Sequence, residues 1–351
     1  MYRSNRPGNL GFSVVELLVA MVLSLILLAG VMTLFANSRG AYETNERLAR
    51  IQENGRFGLE QIVRDVRAAG YPGCAKRTAT KPLVNGLNNS TDLLWNFSIP
   101  VQGYDGAAAS TWTPALVDPV LTDAPTSDTD VLVVRRIKPD VAPQRVKTTM
   151  TSATANIEVW SPPNSIANGD VVIAAGCEGA SVFQVTTYTP DATNQLGTIT
   201  HTASLTPGGN TTTSIGNMFS QQTAEIVPIQ TVVYFIDTSS TGNSTSLYRR
   251  IGSANPEELV EGVDSLQIQF GIDTNGDSNH LADDYVKASS VTNWDRVVAV
   301  RVALLVRSIE EYGTDVDSAS RTILGSTVAA YNDRRERRVF TTTATLRNKL
   351  F

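Results

Sequence analysis

Nineteen consecutive residues without a charge, Leu17 to Phe35 (LLVAMVLSLILLAGVMTLF), constrain this chain more than any other feature. As a helix at ~1.5 Å per residue they span roughly 28 Å, close to the hydrocarbon thickness of a bilayer. Twelve of them are Leu, Ile, Val or Phe. At about −0.3 to −0.6 kcal/mol each, these contribute roughly −4 to −7 kcal/mol to insertion. The flanking acid, Glu16, opposes this by no more than about 3.5 kcal/mol, so insertion wins. A core helix of this length would carry a polar face. A secretory signal peptide would have a shorter apolar core and a small-x-small cleavage site after it. Arg3 and Arg6 keep the start on the cytoplasmic side by the positive-inside rule, which exports everything after about Ala36.

The helical pattern continues straight out of the apolar run. No proline occurs between Asn37 and Ala69, and Glu43/Arg47, Glu46/Arg50 and Glu60/Arg64 stand at i,i+4 with the acid first, Glu53/Arg56 at i,i+3. Leu48, Ile51, Leu59, Ile62, Val66 and Ala69 form one apolar stripe for a core to cover. Gly70-Tyr-Pro-Gly73 stops the helix. The reading predicts one helix over Phe12 to Ala69, roughly 87 Å long, with Gly30, Gly40, Gly55 and Gly58 as points of bending or close packing. Spacing alone equally allows a plain anchor and stalk.

Composition narrows the chemistry. A net charge of −5 gives no positive field for nucleic acid. Two histidines and two cysteines, at 74, 177, 201 and 280, lack the short paired spacings of a zinc site. No GxSxG, P-loop, GxGxxG or HExxH motif occurs, so the expectation is a non-catalytic protein.

At the membrane boundary, Gly11-Phe12-Ser13-Val14-Val15-Glu16 directly precedes the apolar run. This segment resembles the class III signal of type IV pilins and pseudopilins. The resemblance implies cleavage between Gly11 and Phe12 by a prepilin peptidase, N-methylation of Phe12, and a role for Glu16 in subunit assembly. The chemistry agrees: a carboxylate just inside an apolar span needs a partner. Cutting after Gly11 frees an α-amine one helical turn away, on the same subunit or another.

Residues 71–351 change character, with short β-branched runs between turn signals. Val297 to Arg307 alternates as a half-buried antiparallel strand. Further strands are expected at 130–136, 170–175, 182–187, 231–236, 266–272 and 339–346. The polar stretches 186–222 and 238–246 read as exposed loops. The expected fold class is α+β: a long N-terminal helix, transmembrane in its first half, packed on a C-terminal antiparallel β-sheet domain. The divisions are 1–11 (leader), 12–36 (span), 37–70 (exported half of the helix) and 71–351 (β-rich domain).

Arg67-Ala-Ala-Gly-Tyr-Pro-Gly-Cys74, Cys177 followed by Val182-Phe183-Gln184-Val185, Trp294-Asp295-Arg296 and Leu346-Arg347-Asn348 occur in this order. In that order they are similar to PilW-type minor pilins. The resemblance implies a part in priming and assembling type IV pili, and so in adhesion or twitching motility. It also implies partners: other minor pilins, the major pilin, the prepilin peptidase and the pilus assembly machinery of the inner membrane. The chain would be single-pass with a periplasmic C-terminal domain, later incorporated in the pilus. A type II secretion pseudopilin shares the leader and helix. A membrane-tethered periplasmic metal-dependent enzyme or receptor is the alternative of another class.

Two cysteines in an exported domain suggest a Cys74–Cys177 disulfide. Asp273, Asn275, Asp277 and Asn279, with Asp283 and Asp284 downstream, set oxygen side chains at alternate positions. They form a candidate calcium loop, with Asp284 in twelfth place, or else an Asx-rich turn. Arg135-Arg136 and Arg334 to Arg338 are basic clusters that read as solvated faces.

Overall fold

The computed structural model describes residues 13–71, 73, 83–107, 111–117, 121, 126, 128–160, 166–177, 179–221, 223–242, 244–277 and 281–349. The chain divides after Gln52 into two compact units. One helix, α1 (Val14–Arg67), accounts for the described part of the first unit and enters the second.

In the first unit the apolar side chains from Val14 to Phe35 are exposed. Of the expected charge pairs, Glu46–Arg50 forms at 2.7 Å. Glu43 instead takes Arg39 at 3.0 Å, and Arg47 turns to the Thr44 hydroxyl.

The second unit starts with residues 53–67 of α1. Leu59, Ile62 and Val66 are buried, as the apolar stripe requires. Two glycines permit close approach here: a methyl group at Gly55 would collide with the Phe340 ring, and one at Gly58 would press on Leu304 and Leu247. Arg64 departs from the expected Glu60 pairing and donates to Gln61. The helix ends at Arg67 because Ala69 bridges to Arg136 and Gly70, at φ +70°, donates to the Arg135 carbonyl.

The strands follow in chain order. First come β1 (Leu83–Asn85), β2 (Val101–Ala107), β3 (Thr111–Thr113), β4 (Val131–Ile137), β5 (Gln144–Arg145) and β6 (Ile157–Trp160). Next are β7 (Val171–Gly176), β8 (Gly179–Gln184), β9 (Thr187–Asp191), β10 (Leu196–Thr200), β11 (Glu225–Thr238), β12 (Thr245–Ile251) and β13 (Glu257–Glu261). Last are β14 (Val263–Ile272), β15 (Asp284–Val286), β16 (Val297–Arg307), β17 (Arg321–Ile323), β18 (Ser326–Val328) and β19 (Arg337–Thr345). The largest sheet runs β1-β8-β7-β11-β4-β2-β3, with β12, β13 and β5 attached through β11 and β12. A second runs β15-β14-β16-β19, and smaller ones are β6-β10-β9 and β17-β18. Pairing is antiparallel except for β1 on β8. This is an α+β, pilin-like arrangement of a long N-terminal apolar helix and a mostly antiparallel sheet domain.

Two expectations are corrected. Residues 186–222 are not an exposed loop. They contain the β9–β10 hairpin, and Ile199, Ile215 and Phe219 are buried with Phe183 and Val159 in one cluster. The polar residues serve as fasteners: Asn210 bonds to Gln184 N, Gln184 O and Thr202 O. Residues 238–246 close the β11–β12 hairpin, where the Ser244 and Ser246 hydroxyls bond Glu261 and Glu258. β16 is covered on both faces, because the excursion carrying β17 and β18 lays Ile323 over Ala303 and Leu305.

Asp65, 1% exposed, anchors the end of α1. Its Oδ1 lies 3.0 Å from Arg136 Nε, and its Oδ2 accepts the Tyr234 hydroxyl at 2.8 Å. Burial and the Asp65 charge together push the Tyr234 phenol upward. Removing one member of a buried pair strands the other charge, so Asp65→Ala is expected to lose about 3–5 kcal/mol in denaturant melting. Arg64→Ala, on the exposed side of the same turn, is expected to stay within about 0.5 kcal/mol.

Asp130 ties the two large sheets together. Its Oδ1 accepts from Gly106 N of β2 and its Oδ2 from Ile268 N of β14. Burial raises its carboxyl to about 7, with Asp105 adding to the shift, against 3.8 for the free group. A folded value above the unfolded one means stability is fully present below the unfolded value and is lost as pH rises through the folded one. Thermal melting between about pH 4 and pH 7 should therefore show a decline that is absent in Asp130→Asn.

Candidate functional site

The N-terminus of α1 is closed by a variant of the capping box, with the serine oxygen on the second helical residue rather than the third. Ser13 Oγ accepts from Val15 N at 3.3 Å, and the Glu16 carboxylate reaches back to Ser13 N at 3.1 Å. Two of the helix's orphan donors are thereby satisfied where no bilayer lipid could satisfy them. A carboxylate in the first turn also suits the helix dipole. Only Oε2 is engaged in the bond to Ser13. The window of α1 that follows has mean hydropathy 2.7 and no buried residue. An apolar surface of that extent requires lipid or other apolar helices around it. Gly11 and Phe12 lie outside the described residues.

Of the cysteine pair, Cys177 is exposed just past the end of β7, while Cys74 lies outside the described residues. Its neighbour Gly73, at φ +60°, sits on β7: a Cβ there would fall 2.5 Å from the Ala175 methyl.

Among the described residues the calcium candidates do not come together as a ligand set. Asp273 Oδ1 accepts from Gly276 N, and Asn275 Oδ1 accepts from Asp277 N, as in Asx turns. Asn275 Nδ2 donates to Asp277 Oδ2. Asp284 belongs to β15 and accepts from Tyr285 N. Asn279 and His280 lie outside the described residues. Among the described residues no three His, Cys, Asp or Glu side chains are placed to hold a metal ion. The organising carboxylate is Asp283, which takes Thr274 N, Thr274 Oγ1 and Asn275 N. Those bonds, led by the Thr274 hydroxyl, hold it below its usual range.

The basic clusters are solvated only in part: Arg334 and Arg338 are exposed, whereas Arg135, Arg136 and Arg337 are inside. Arg135 and Arg136 are buried. Burial pulls Arg135 down to about 10, and its Nη groups donate to the Ile99 and Leu93 carbonyls. Arg334 and Arg338 pair with Glu311 and Glu336. Arg337, its side chain fully enclosed, bonds Asp264, Asp317 and Asp333 and stacks 3.9 Å from the Tyr331 ring centroid. Its hydrogen bond is the main cause of the Asp333 carboxyl lying at about 2. Sequence reading missed this staple, since its members are spread from 264 to 337 and share no motif.

The comparisons with known proteins fall on these two regions. Residues 6–32 match the prokaryotic N-terminal methylation motif. Residues 233–348 match the PilW family, the type IV pilus-assembly protein W. A comparison with curated proteins gives no match. The PilW-like segment supplies β12 to β19 and the last six residues of β11. It therefore includes Tyr234, Leu247, Leu304 and Phe340, which meet residues 55–65 of α1. The methylation motif includes the Ser13–Glu16 capping box. The C-terminal match is thus to a type IV pilus-assembly family and the N-terminal one to a methylation motif, which together support a type IV pilus-related pilin.

Because the Asp273, Asn275 and Asp283 oxygens already accept hydrogen bonds from within the loop, calcium or a chelator is expected to leave the melting curve unchanged. Asp283→Ala, which frees Thr274 N and Asn275 N, should raise amide exchange locally in that hairpin.

Proposed function

We propose that this protein is a minor pilin: a non-catalytic, membrane-anchored subunit that takes part in priming and assembling type IV pili, and so supports adhesion and twitching motility. One observation carries the reading. A carboxylate held back over the helix end by a capping box stands at the mouth of an uncharged span, inside a methylation-motif match. In this reading the prepilin peptidase cuts between Gly11 and Phe12, Phe12 is N-methylated, and the new amine meets the Glu16 carboxylate of a neighbouring subunit. Glu16 Oε2 already serves Ser13 N, which leaves Oε1 for that amine. Pairing offsets the burial of two charges among apolar helices and sets the register between subunits. Before assembly the chain would sit in the inner membrane with residues after about 36 in the periplasm. Its partners would be the major pilin and other minor pilins.

A Cys74–Cys177 disulfide belongs to the same proposal. Gly73 against Ala175 puts the chain beside the end of β7 one residue before Cys74 and two residues before Cys177. An oxidising periplasm favours closure of a loop of this length, worth up to roughly 4–5 kcal/mol.

Mass spectrometry of the mature protein tests the reading: the expected N-terminus is a methylated Phe12. A native chain that starts at Met1, or beyond the span, overturns it. Glu16→Val is expected to insert normally and to reduce piliation at least about tenfold, since it removes the amine's only nearby acid.

A further inference from the structure

β19 closes the four-stranded sheet on its far side from β15. Its antiparallel register with β16 runs unbroken through all nine residues, Arg337 to Thr345. In an antiparallel ladder alternate residues turn their N–H and C=O toward the neighbour, and the rest turn them away. Leu346 N donates to Val298 O, and Glu336 O accepts from Ser308 N. The even positions therefore face β16. Val339, Thr341, Thr343 and Thr345 turn their backbone groups to the open side, and their side chains are exposed. Among the described residues no strand pairs with them there.

The other free edges are short or interrupted. β1, β3 and β15 have three residues each. β13 pairs through a register shift, and β9 contains Pro190. Folded proteins shield a long edge with charges, prolines or bulges. From 338 to 345 the one charge is Arg338, already paired with Glu336 at 3.3 Å.

We propose that β19 is an acceptor edge, which takes one extended, uncharged segment of a neighbouring pilus subunit as an added strand. The inference rests on the pilus-subunit reading above, and the chemistry of the edge specifies the occupant. Outward backbone groups on four alternating residues fit a strand of about seven residues, roughly 23 Å long. Its main-chain hydrogen bonds would supply affinity. A row of valine and threonine side chains favours β-branched or aromatic neighbours. A basic segment would lie against a row with no carboxylate, and the Arg301 guanidinium beside Thr343 is already held by Gln269 and by the Tyr285 ring.

The test uses the full chain in cells that build the filament, with a photo-crosslinking phenylalanine analogue in place of Thr345. The expected product is an adduct to a strand segment of another pilus subunit, located by mass spectrometry. Thr343→Pro removes one outward N–H and spares every backbone bond to β16, losing only the long side-chain contact from Arg301 Nε to Thr343 Oγ1 at 3.5 Å, so it should lower the adduct at least about tenfold with little change in melting. Thr341→Lys with Thr343→Lys keeps every backbone group and should lower it likewise, whether or not the proline variant folds. An adduct only to another copy of this chain, an adduct indifferent to the lysines, or no adduct overturns the proposal. If Phe12 is methylated and β19 gives no adduct, the edge assignment fails while the pilus-subunit reading stands.

Discussion

Close approach between residues 53–67 of α1 and the sheets governs the rest of the second unit. Gly55 and Gly58 let the helix backbone come down onto Phe340, Leu304 and Leu247. At the far end Asp65 joins it to Arg136 of β4 and Tyr234 of β11. A glycine inside a helix costs about 1 kcal/mol relative to alanine. Here that loss is exchanged for dense contact with β12, β16 and β19. The same contact decides which strands can share a core, because one short stretch of helix touches strands from both large sheets.

Buried ionisable groups then fix the assembly. Asp65 with Arg136, Asp130 with two backbone donors, and Asp264 with Arg307 and Arg337 each join segments far apart in sequence. Such groups are costly to desolvate and tolerate little displacement, so they specify one arrangement rather than add much net stability. The polar Thr, Ser and Asn residues play a related part on a smaller scale. Asn217, for instance, joins the 201–224 segment to Ala180 O and Ser181 Oγ of β8.

In the first unit a single carboxylate has one observed task and, in the proposed reading, a second that is compatible with it. Glu16 completes the capping box through one oxygen, which satisfies a helix end at the border of an apolar span. Its other oxygen is suited to a cation supplied from outside the helix. Intramolecular capping and intermolecular pairing therefore need not compete, since a carboxylate accepts several hydrogen bonds.

Much was legible in the sequence because it is local. The uncharged run, the i,i+4 charges and the Gly70 stop gave one helix whose ends differ by two residues from Val14–Arg67. The alternation around Val298–Val306 gave β16 at its observed limits. The Ser13-x-x-Glu16 spacing could also have announced the capping box. What the sequence could not determine was which polar residues are inside. Arg135, Arg136 and Arg337 look like surface bases until carboxylates and carbonyls from remote segments surround them. The 186–222 stretch looks like solvent-exposed coil until Phe183 and Val159 bury its few apolar residues. Local periodicity records how a segment coils or extends. Burial of a charge, and the outward turn of every second residue of β19, depend on which distant neighbour arrives, and only the tertiary structure decides that.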